Sequence, residues 1–133
     1  MSRKIFVNLP VADLDASMDF FKKVGFTFNP KFTDKTAACM VISDDIYSML
    51  LTHDKLREFS KKEIVDAHKQ IEATLALSYD SRKEVDDVME KALAAGATEA
   101  FDPKDYGFMY NRSFNDLDGH MWEIFWMDPE KAK

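Results

Sequence analysis

The run Trp122-Glu123-Ile124-Phe125-Trp126 sets one carboxylate in an otherwise apolar stretch. Period-2 alternation sends Trp122, Ile124 and Trp126 to one face of a strand and Glu123 with Phe125 to the other. With the tryptophan face packed on helices, Glu123 faces a cleft, where poor solvation suits a carboxylate to proton transfer or to holding a hydrogen-bond donor. Small polar groups, Asn8, Ser48, Thr52, Thr74 and Ser78, punctuate other strand-like runs. Apolar walls with a few directional groups are what ligand pockets use, although such hydroxyls also fill narrow interiors and bond to backbone. The aromatic loop 106–112 ends in Arg112. At a cleft rim its guanidinium would fork onto a ligand carboxylate or phosphate, or it would pair with Asp116, Asp118 or Glu123.

Other reactive types carry less. His53 leaves a strand beside Asp54 on the opposite parity from Leu50, His68 lies in a charged stretch and His120 in a turn, so the three share no strand or helix face that spacing would make a metal site. Cys39 sits in Ala38-Cys39-Met40-Val41 without an adjacent base and reads as a small buried hydrophobe. Of the eight methionines and eleven phenylalanines, most belong to the core, with Met40, Met49, Met109 and Met121 suited to lining an adaptable cavity.

The elements that must position these residues follow from patterning. Ile5 to Val11 alternates as a strand, and Asp13 caps a helix whose stripe Leu14, Met18, Phe21 and Val24 ends at Gly25. Three strands are expected at 26–32, 37–43 and 46–52, with Asp44-Asp45 turning the last pair. A charged connector follows, in which Ser60 and Glu63 have the spacing of a capping box and predict a surface helix. The order then recurs. Residues 74–79 read as a strand, Ser81 and Glu84 cap a helix with the stripe Val85, Val88, Met89, Ala92 and Leu93, and strands are expected at 98–101, 108–115 and 121–127. Residues 6–11 line up with 74–79, and 47–52 with 120–125, which makes the chain a duplicated module: about 4–53, a connector of about 54–71, and about 72–127.

At 133 residues the chain has the length of one domain. With 18 basic against 24 acidic residues, its charge of -6 offers no positive field for a phosphate backbone, so nucleic acid is not an expected partner. No run approaches the roughly 20 apolar residues of a membrane span. A single cysteine allows no intramolecular disulfide and fits a reducing, cytoplasmic setting.

Three segments in order, NLPVADLDASMDFFKKVGF, EVDDVMEKALAAGA and FNDLDGHMWEIFW, resemble the vicinal oxygen chelate superfamily, which includes glyoxalase I, bleomycin-resistance proteins and extradiol dioxygenases. The resemblance implies an α+β fold of two paired βαβββ modules whose sheets curl around a cleft, and a homodimer. In metal-dependent members four repeat-related strand positions supply His, Gln or Glu to one divalent ion. Matched residue by residue they fall on Phe6, Leu50, Thr74 and Glu123, of which only Glu123 is a good ligand for such an ion. The expected function is therefore metal-free binding of a small apolar or aromatic molecule, with Phe6, Asn8, Leu50, Thr52, Thr74, Arg112 and Phe125 as contacts and Glu123 as the acid. Two alternatives stand beside it: a lyase, isomerase or dioxygenase of the glyoxalase I type that uses a metal through other residues or Glu123 alone as base, and a structural or interaction dimer whose cleft is filled by Phe6 and Leu50.

Overall fold

The computed structural model describes residues 3–131. The chain forms two compact units that divide after Val65. The first contains β1 (Ile5–Val11), α1 (Leu14–Val24), β2 (Thr27–Asn29), a 3-10 turn (Pro30–Phe32), β3 (Ala37–Ser43), β4 (Ile46–Thr52) and the short α2 (His53–Arg57). The second contains β5 (Leu75–Ser78), α3 (Arg82–Ala94), β6 (Thr98–Asp105), β7 (Met109–Asn115) and β8 (Met121–Met127). Each unit is a four-stranded mixed sheet of the same topology, β1-β4-β3-β2 in one and β5-β8-β7-β6 in the other. The outer strands β1 and β5 run parallel to β4 and β8, and the remaining pairs are antiparallel. Among the described residues no helix is long and apolar enough to cross a membrane.

Local chemistry sets the helix ends. The Asp13 carboxylate accepts from the Ala16 amide at 3.0 Å and Ser81 caps α3 through the Glu84 amide, each cap contributing about 1 kcal/mol. α1 buries Leu14, Ser17, Phe20, Phe21 and Val24, and α3 buries Val85, Met89 and Ala92. On the facing strands Ala38, Met40 and Leu50 in the first unit, and Phe114, Trp122 and Ile124 in the second, are fully buried.

Three expectations are corrected. The strand expected at 26–32 stops at Asn29, because Pro30 lacks a donor and the Asn29 side chain caps the turn through the Lys31 amide. The connector is not a helix around Ser60. Its hydroxyl accepts from the Lys62 amide two residues on, and regular helix is confined to His53–Arg57. A capping pair nucleates a helix only with an apolar face to bury, and residues 58–63 are exposed. The sixth strand runs to Asp105 rather than 101, carried past Pro103 by register shifts against β7.

The turn between β7 and β8 is held by a buried carboxylate, Asp116, which the sequence offered only as a partner for Arg112 and which instead binds its own turn. Asp116 is 6% exposed and accepts from the Asp118 and His120 amides and from Trp122 Nε1 at 2.9 Å. Gly119 is obligatory in this turn. Its φ is 88°, and a Cβ there would lie 2.6 Å from the His68 nitrogen. Asp116→Asn turns an amide donor toward the indole N–H or forfeits the paired amides, and the expected loss is about 1–3 kcal/mol in urea denaturation. Burial, the largest influence on Asp116, raises its carboxyl above the ordinary 3.8. The folded state therefore holds this proton more tightly than the unfolded chain. The resulting contribution declines as pH rises from 3.8 to the folded value, then stays flat. Stability curves of wild type and Asp116→Asn should differ in slope across that acid interval and run parallel above it.

Candidate functional site

Strand register assigns every β residue to a helix-packed face or an open face. In the second unit β8 pairs Ser113 and Ala76 with Glu123, Asn111 and Ser78 with Phe125, and Asn115 with Met121. Trp122 and Ile124 take the other face, under α3. The open face thus collects Glu123, Phe125, Met121, Met127, Asn111, Ser113, Ala76 and Ser78, with Thr74 just before β5 on the same parity. Glu123 is half-buried, and the Thr74 hydroxyl donates to its Oε2 at 3.2 Å. Ser113, directly across from Glu123, is 3% exposed. Asn111 and Ser113 were not singled out beforehand, although the antiparallel pairing of 109–115 with 121–127 carried the signal.

In the first unit β1 pairs Phe6 with Tyr47, Asn8 with Met49 and Leu9 with Leu50. Phe6 and Tyr47 share the open face and stack, ring centroids 4.7 Å apart. Phe6 is 50% exposed, and Asn8 is also exposed on that face. Leu50 lies on the helix-packed face, fully buried beside Ser48, whose hydroxyl donates to the Val7 carbonyl at 2.9 Å. The two units show why the expected match slips by one residue. Glu123 opposes Ala76, two residues beyond Thr74, and the residue opposing Asn8, two beyond Phe6, is Met49. The first-unit counterpart of Glu123 is therefore Met49, and a one-residue slip exchanges the faces of a strand.

Two further expected contacts face elsewhere. Thr52 shares the parity of Leu50, and its hydroxyl accepts from the Lys55 amide as the cap of α2. Arg112 pairs with Ile124 and so projects on the α3 side, not into a cleft. There its guanidinium donates to Asp86 Oδ1 at 3.1 Å and Glu99 Oε2 at 2.8 Å, and its side chain is 15% exposed. Tyr110 donates to the same Asp86 oxygen, and burial pushes the tyrosine hydroxyl's pKa up. This network ties α3 to β6 and β7. Cys39 is buried and its thiol is raised by desolvation, as suits an unreactive filler.

A metal fits these positions poorly. Phe6 has no lone pair, the Met49 thioether is a soft ligand, and the Thr74 hydroxyl is a neutral donor already turned to Glu123. Among the described residues no three His, Cys, Asp or Glu side chains come together as a metal-holding group. A separate cavity of about 360 Å³ in the second unit is lined by Ala67, His68, Gly96, Thr98, Asn115, Asp116, Leu117 and Gly119. It contains none of the expected site residues, and it adjoins the open face through Asn115 and Thr98.

The face assignment is directly testable. Leu50→Ala should cost about 2–5 kcal/mol of stability by opening a core cavity, whereas Met49→Ala should cost about 1 kcal/mol or less, both read by chemical denaturation. Equal losses would contradict the register.

Comparison with known proteins agrees with this architecture. Residues 3–43 match the family model described as Bleomycin resistance protein-like N-terminal. A hypothetical protein from S. aureus is similar at 27% identity and a TM-score of 0.79, with 94% of each chain covered. A glyoxalase/bleomycin resistance protein/dioxygenase family enzyme from Burkholderia phytofirmans is similar at 20% identity and 0.76, covering 95% of this chain and 99% of that one. A glyoxalase-related enzyme from Fulvimarina pelagi gives 22% and 0.77, covering 95% and 88%. No curated protein matches the chain.

Proposed function

Because the chain is a vicinal oxygen chelate superfamily protein, by its fold and by the family match of residues 3–43, we propose that it binds a small apolar or aromatic molecule without a metal ion. The observation that carries this reading is the donor set at the repeat-related positions Phe6, Met49, Thr74 and Glu123. A carboxylate and a hydroxyl in one unit, with a phenyl ring and a thioether at the matching positions of the other, are a poor donor set for a hard divalent cation. The same types make a good surface for an organic ligand, with aromatic and methionine contact area and a few polar groups that orient it. Glu123 and Thr74 orient the ligand, while Phe125, Phe6 and Asn8 offer contacts on the open faces of their own sheets.

Binding of the neutral dye Nile red, followed by fluorescence, should saturate and change by less than about twofold on adding EDTA. The protein purified without chelator should carry no stoichiometric zinc, nickel, manganese or iron. Isomerisation of the glutathione–methylglyoxal hemithioacetal should be absent even with added nickel or zinc. One tightly held metal per chain, or binding abolished by chelation, would overturn the reading.

The same reading includes a homodimer in the cytoplasm. Ile5 and Phe6, 55% and 50% exposed on the sheet-edge strand β1, support association. Light scattering at micromolar concentration should give twice the 15.3 kDa chain mass, and a monomer would count against it.

A further inference from the structure

Charge is unevenly divided along the chain. The first unit has 9 acidic and 10 basic residues and the second 15 and 8, so the first carries +1 and the second -7 of the net -6. The open face of that unit's sheet concentrates the asymmetry. Glu123 stands near its middle, half-buried, and forms no ion pair among the described residues. Of the two strand cations, Arg112 is turned away from it, and Lys104, which opposes Asn111 on the open face, forms no ion pair with it. Arg112 projects from the opposite face to Asp86 and Glu99, and Lys104 sits on the outermost strand β6 with its ammonium 5.2 Å from the Phe101 ring centroid. On β7 and β8 the groups around the carboxylate are neutral. Ser113 is 3% exposed yet its hydroxyl is engaged by no partner among the described residues, and the Asn111 amide is similarly uncommitted. Phe125, Met121 and Met127 complete the face.

A half-buried carboxylate without an ion-pair partner, next to a serine hydroxyl and an asparagine amide not used in the fold, leaves hydrogen-bonding capacity for a ligand. We propose that an organic cation completes it: a primary or secondary ammonium on an apolar or aromatic body. The ammonium donates to Glu123 and to the Ser113 hydroxyl, with the Asn111 carbonyl as a further acceptor, and the body rests on Phe125 and Met121. The negative second unit raises the local concentration of such a ligand, whereas an anion meets an uncompensated carboxylate. This inference rests on the metal-free binding reading and adds the charge of the ligand.

The test uses three bodies, phenyl, naphthyl and indolyl, each bearing an aminoethyl, hydroxyethyl or carboxymethyl arm, titrated by calorimetry near neutral pH in EDTA. The amines should bind at least tenfold more tightly than the matched alcohols, and the acids should not bind. Glu123→Gln should erase the amine preference, lowering amine affinity about tenfold or more while alcohol affinity holds within twofold. The alcohol titrations also show that the variant is folded. Alcohols binding as tightly as amines, acids binding best, or an amine preference that survives Glu123→Gln would overturn the cation inference and leave metal-free binding standing. Failure of all nine compounds in wild type would overturn both.

Discussion

In each unit one long helix covers one face of a four-stranded sheet, and everything chemical about the protein depends on which side of the pleat a residue falls. A strand offers only two directions, so once Leu50 and Ser48, or Trp122 and Ile124, are committed beneath a helix, their neighbours Met49 and Glu123 must face away. The commitment is enforced by volume. Trp122, Phe114, Ile124 and Met89 form a close-packed cluster with no exposed surface, and moving the register by one residue would expose all of the strand side chains together.

The second unit secures that register from both ends. At the turn, Asp116 joins two backbone amides to the indole of Trp122, so the residue that anchors the core also shapes the turn preceding its strand. Across the sheet, Arg112 bridges Asp86 of α3 and Glu99 of β6. A partly buried arginine with two acids is more costly to break than an exposed pair. At the far end Arg82 reaches Asp105 and the Gly107 carbonyl while its guanidinium lies 5.0 Å from the Trp126 ring. Both arginines of this unit are thus consumed in holding the helix to the sheet, and on the opposite face Glu123 is left without an ion-pair partner among the described residues.

The legibility of the candidate site was uneven for the same reason. Glu123 and Phe125 could be placed because tryptophan and isoleucine alternate around them with no competing pattern. Leu50 could not, because Met49, Leu50 and Leu51 form a continuous apolar run in which hydrophobicity carries no parity. Arg112 was ambiguous because a guanidinium reads alike as a ligand clamp and as a structural bridge, and its acids, Asp86 and Glu99, are 26 and 13 residues away. Thr52 was misjudged because the end of a strand is also the cap of the next element.

The sequence by itself determined the duplicated βαβββ order, both long helices with their caps, and the face on which Glu123 stands. These rest on local terms: spacing of apolar residues, short-range capping bonds and the steric demands of glycine and proline. Only the tertiary structure decided the pairing register that makes Met49 the counterpart of Glu123, the turn of Arg112 toward α3, and the meeting of Ser113 and Asn111 with the carboxylate. Those depend on contacts between strands distant along the chain, whose energies are set by how side chains fill the space beneath each helix.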